Sequence, residues 1–189
     1  MQTLGLADST PRSENRLKSL LWPSIQSGAD VDYIGAQGYW VCALFACLAL
    51  ISSTVIGHPI AGIFVFLVYY LSGVGIRERS RYAAVIAFVF SLGELLASPS
   101  ILKVVFAALL LSNLRATWIA SSWKSESEES ALPPRLSATW ADKFADRFPS
   151  WIWPKVRIVY YVFSAAFTVL FVTGIADTIR RGAWPMFLH

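Results

Sequence analysis

Residues Tyr82–Ser121 read YAAVIAFVFSLGELLASPSILKVVFAALLLSNLRATWIAS, two apolar segments joined by the turn Ser98-Pro99-Ser100. Each segment has about the 17–25 residues that a helix needs to cross the hydrocarbon core of a bilayer. Backbone groups have no water to bond inside a bilayer, so a spanning segment must be a helix or a strand of a closed barrel. The alternation of apolar and polar residues that marks barrel strands is absent. The expected fold class is therefore an all-α integral membrane protein, and this hairpin is its centre. Four strongly polar side chains stand inside it: Glu94 in the first segment and Lys103, Asn113 and Arg115 in the second.

The rest of the chain agrees with that reading. Of 189 residues 56% are hydrophobic and only 15% charged, with a mean hydropathy of +0.53. A soluble domain of this size needs more polar surface. The apolar residues fall into blocks that predict a bundle of about five transmembrane helices, at 38–56, 59–76, 82–98, 101–121 and 157–176. The first opens on the interfacial pair Tyr39-Trp40, and the second follows the short turn Gly57-His58-Pro59. Residues 1–37 form a polar lead in which Arg16–Trp22 is a short amphipathic stretch, suited to a membrane surface or to solvent. A cleavable signal would place its apolar core earlier, so the first span is expected to remain as an anchor.

Between the fourth and fifth spans, residues 122–156 change character twice. Lys124–Ser130 and Pro133-Pro134 make a charged linker by composition. From Thr139 to Phe148 the pattern is helical, with Trp140, Phe144 and Phe148 at i, i+4 and i+8 and Thr139 in a capping position. This predicts one interfacial amphipathic helix on the cytoplasmic leaflet, anchored further by Trp151 and Trp153. A helix that docks on a protein partner is the alternative. Residues 177–189 are a short tail.

Lys and Arg set the orientation. With the N-terminus in the cytoplasm, thirteen of the sixteen lie on that side, and Lys103, Arg180 and Arg181 on the other. This positive-inside bias predicts an N-in, C-out protein of a bacterial cytoplasmic membrane, although Arg180-Arg181 pull the other way. The net charge of +4 is accounted for by these flanks. No basic stripe or recognition motif is present, so no nucleic-acid partner is expected.

The polar residues inside the spans are the candidate sites. A carboxylate in hydrocarbon is a functional hypothesis by default. Glu94 shares a helix face with Ala87, Ser91 and Ser98, and Lys103 lies at similar depth on the next helix. An ion pair that ties the hairpin is the plain expectation, and a protonatable relay group the sharper one. Arg115 is placed to snorkel to the headgroups, or to meet acidic lipids together with Arg77, Arg79 and Arg81. Asn113 is expected to bond across to a neighbouring helix. The stripe Tyr160, Ser164 and Thr168 reads as helix packing. Gly73 and Gly75, near the end of the second span, read as close packing or fraying. Cys42 and Cys47 lie about 140° apart on one helix, beyond disulfide reach.

No catalytic, cofactor or metal site is expected. Only two histidines exist, His58 and His189, and there is no nucleophile elbow, zinc-protease or phosphate-loop motif. Two function classes remain. One is a non-catalytic small subunit, scaffold or assembly component of a membrane complex, with the bilayer and other membrane subunits as partners. The other is a small transporter or channel component that uses Glu94 as a protonatable group.

Overall fold

The computed structural model describes residues 21–25, 28–123 and 140–180, with the backbone alone at 28–29, 140–146, 175 and 178–179. The linker sequence from Lys124 to Thr139, most of the polar lead and residues 181–189 lie outside the described residues, and the first four residues of the expected tail belong to the last helix. Within them every regular element is a helix: α1 (Gly28–Val55), α2 (Pro59–Arg77), α3 (Arg81–Ala97), α4 (Ile101–Trp123) and α5 (Trp140–Arg180). Four of these, α1, α2, α4 and α5, are long and apolar enough to cross a membrane. The sequence predicted five. The remaining helix, α3, has 17 residues, about 25 Å of rise. It is bounded by the Ser80 N-cap at one end and Pro99 at the other, because the residue before a proline is driven out of the helical region.

Both short turns near α2 close in the same way. After α1, the His58 N–H bonds the Ser53 carbonyl at 2.8 Å and the Gly57 N–H bonds the Thr54 carbonyl at 3.1 Å. After α2, the Ser80 N–H bonds Gly75 and the Arg79 N–H bonds Ile76, both at 2.9 Å. Each is a Schellman motif, which needs a left-handed residue just past the helix end. Glycine supplies it at Gly57, with φ +90°, but at the second turn the position is held by Arg79, with φ +58°.

Helices α1 to α4 form a ring in which each packs on the next and α4 closes back on α1. Small residues set the approach of α1 and α2. A Cβ at Gly62 would stand 2.8 Å from that of Ser53, and one at Gly73 would stand 2.8 Å from that of Cys42. Phe45 of α1 meets Tyr69 of α2 at 4.5 Å and Phe106 of α4 at 5.6 Å, which fills the centre of the ring. Cys42 is buried there, and Cys47 on the same helix is exposed.

The fifth helix lies outside the ring, mainly against α2. The amphipathic helix and the fifth span expected as separate elements are one continuous helix of 41 residues. It runs through Pro149 and Pro154, each of which removes the hydrogen bond to the residue four earlier and tends to bend the helix. Trp153 sits on the α2–α3 turn, whereas Phe148, five residues before it, meets Tyr70 in a tilted ring contact at 6.2 Å.

Candidate functional site

Three polar clusters punctuate the bundle. The first lies at the α3–α4 turn and joins Glu94 with Lys103. The Lys103 ammonium lies 3.4 Å from Glu94 Oε2 and donates to the Glu94 backbone carbonyl at 3.1 Å and to Ser98 Oγ. It therefore also caps the carbonyl end of α3, where the chain's own N–H groups have run out. Ser100 Oγ accepts the Lys103 N–H at 3.3 Å and starts α4. The Glu94 carboxylate is spent on this cap and remains about a third exposed.

At the opposite end of the ring, Asp32 receives two arginines. Arg79 Nη2 lies 2.7 Å from Asp32 Oδ1, and Arg77, itself buried, donates to the Asp32 backbone carbonyl. Asp32 precedes the first expected span, yet α1 begins at Gly28, with Val31 and Ile34 buried. Hydropathy does not register those first ten residues of α1. They are held by Arg77 and Arg79, which the sequence offered as a positive flank or an acidic-lipid contact and not as partners of Asp32.

Aromatic residues form the third cluster, which clamps α5 to the ring. Tyr160 Oη and Ser72 Oγ lie 2.7 Å apart, both fully buried, and Ser164 Oγ donates to Tyr82 Oη at 3.3 Å. Of the stripe Tyr160, Ser164 and Thr168, the first two make contacts with other helices; Thr168 bonds back to the Ser164 carbonyl. Trp153 is not at the surface as expected of an anchor. It is 7% exposed, and a Cβ at Gly75 would stand 2.5 Å from both its ring and the Ala83 Cβ. Gly75 is thus a notch for an indole. The Trp153 ring packs beside Tyr160 at 5.5 Å and Tyr161 at 5.9 Å, and only the pairing of Gly75 with a distant tryptophan could have signalled it. Trp151 is 60% exposed, and Phe148 is half-buried between Tyr70 and Trp151. The side chains of Trp140 and Phe144 lie outside the described residues.

The other two candidates stand apart from these clusters. Asn113 is fully buried against α1, and a Cβ at Gly38 would collide with its amide. Neither amide atom has a hydrogen-bond partner among the described residues, so the expected bond across helices is not made. Arg115 does not extend away from the protein. It donates to the Pro23 carbonyl at 3.1 Å and lies over the Trp22 ring at 4.8 Å, which pins residues 21–25 to α4.

Chemically, these groups hold helices together: ion pairs, caps and buried hydroxyl contacts. Among the described residues no three His, Cys, Asp or Glu side chains gather as a metal ion would require. No protein-family model matches the chain, and no curated protein or solved structure shows detectable similarity to it.

Proposed function

We propose that the chain is a non-catalytic multi-pass membrane protein, a small subunit, scaffold or assembly component of a membrane complex. The observation that carries this reading is the apolar surface of α5. Only 11% of the 18 residues of its most apolar stretch is buried, against 44% of the corresponding stretch in each of the other three long helices. Ile158, Val159, Val162, Val169, Leu170 and Val172 are each more than half exposed. Water penalises such surface by about 25 cal/mol for each Å². A bilayer, or a partner helix within it, relieves that penalty.

In this reading α3 crosses as well, short as it is. The N-terminus and the α2–α3 turn lie in the cytoplasm of a bacterial cell, and the end of α5 lies outside. Extraction in mild detergent tests the subunit assignment: a second protein that co-purifies at fixed stoichiometry is the expected result, and recovery of this chain alone counts against it. Cysteine labelling at the C-terminus tests orientation, and labelling that requires permeabilised cells overturns the outside placement.

The rival reading, a transporter or channel component, has one observation in its favour: the Glu94 carboxylate is partly exposed and has a single cation beside it. It requires pH-dependent flux in liposomes that Glu94→Gln removes.

A further inference from the structure

We propose that the α2–α3 end of the bundle carries a collar of cation–tryptophan pairs that holds the phosphates of anionic phospholipids. Three such pairs exist among the described residues. Arg81 lies over Trp118 at 5.8 Å, Arg115 over Trp22 at 4.8 Å, and Lys155 over Trp151 at 4.0 Å. They come from separate parts of the chain, yet all three stand at one end. Arg81 opens α3, Arg115 and Trp118 lie near the close of α4, and Trp151 and Lys155 flank Trp153, which is seated on Gly75 at the α2–α3 turn.

Charge accounting separates these cations from their neighbours. Arg77 and Arg79 are committed to Asp32, so the arginine group of the sequence reading divides. Arg81, Arg115 and Lys155 have no carboxylate partner among the described residues, and Arg115 uses one donor on Pro23. Each is instead positioned by an indole that is itself 43–60% exposed. Tryptophan favours the headgroup level of a bilayer, and a guanidinium oriented on its face presents its remaining N–H donors to a phosphate.

The same helices favour a lipid over free phosphate. Leu111, Arg115 and Trp118 are spaced by four and three residues on α4, and Lys155, Ile158 and Val162 by three and four on α5. Each stripe places a cation beside apolar side chains that are exposed, Leu111 at 38% and Ile158 and Val162 at 68%. A phosphate at the cation with acyl chains along the apolar residues satisfies both halves; inorganic phosphate satisfies one.

This inference rests on the membrane reading, and its test separates the two. The full chain is purified in mild detergent, and native mass spectrometry compares retention of added phosphatidylglycerol and phosphatidylcholine. Wild type is expected to retain phosphatidylglycerol preferentially, with roughly a fivefold loss for each cation removed in Arg81→Gln, Arg115→Gln and Lys155→Gln. Trp118→Leu and Trp151→Leu are expected to weaken retention, and Trp118→Phe and Trp151→Phe to restore most of it. Equal retention of the two lipids, an unchanged preference in the triple variant, or displacement of lipid by inorganic phosphate overturns the collar. Failure of the chain to float with liposomes of either composition overturns the membrane reading itself. Insertion without lipid preference overturns only the collar.

Discussion

The two turns that flank α2 share a hydrogen-bond motif and differ in everything around it. At the α1–α2 turn the left-handed position is Gly57, and no atom lies within 4 Å of where its Cβ would be. At the α2–α3 turn the same position is Arg79, whose backbone is strained and whose guanidinium reaches Asp32 at 2.7 Å. A side chain in this region costs about 1 kcal/mol or more relative to glycine. One turn minimises backbone cost and does nothing else. The other accepts the cost and gathers α1, α3 and α5 around itself, through Asp32, the Ser80 cap and Trp153. The same local geometry therefore serves as a plain reversal in one place and as the keystone of the bundle in the other.

Substitutions that target this difference rank by expected effect. Gly75→Ala should be the most damaging, at about 3 kcal/mol, because its Cβ meets Ala83 and the Trp153 ring together in a closed space. Thermal unfolding in detergent should show the loss, and an unchanged midpoint would mean that Trp153 moves aside freely. Asp32→Asn should cost about 1–2 kcal/mol, since it leaves a partly buried arginine without its counter-charge. Gly57→Ala at the open turn should cost about 1 kcal/mol, all of it backbone strain. Arg79→Gly sharpens the comparison further. In the Asp32→Asn background the ion pair is already gone, so glycine should raise stability by about 1 kcal/mol. If it lowers stability there too, Arg79 acts through something other than Asp32. The smallest effect belongs to Glu94→Gln, about 0.5 kcal/mol for a pair near the surface. The Glu94 backbone carbonyl and Ser98 still hold Lys103 in that variant.

Sequence patterns carried this structure unevenly, for physical reasons. Hydropathy located the helices because apolar blocks are long, and Gly57, Pro59 and Pro99 fixed the reversals between them. The approach of Lys103 to Glu94 was legible too, since a three-residue turn leaves two side chains at equal depth little choice. Three features were not. The start of α1 at Gly28 is polar and is held by arginines from residues 77–79, a tertiary contact with no local pattern. The continuous α5 read as two elements because its amphipathic start and its apolar stretch carry different patterns. Trp153 carried the composition of a surface anchor and is instead buried in the Gly75 notch. Of the candidate polar residues, Glu94 and Lys103 meet, whereas Asn113 and Arg115 belong to other contacts.

The seat of Trp153 has a consequence for the order in which the molecule is made. Helices α1 to α4 follow one another through turns of a few residues, so most of the ring forms from contacts that are close in sequence. The contacts of α5 are distant ones: Ser72 and Tyr160 are 88 residues apart. Closing so long a loop is slow relative to pairing neighbours. By that argument the ring is expected to form before α5 docks, with the cleft at Gly75 open until then. The seat of Trp153 is then filled when α5 docks and brings its indole to Gly75.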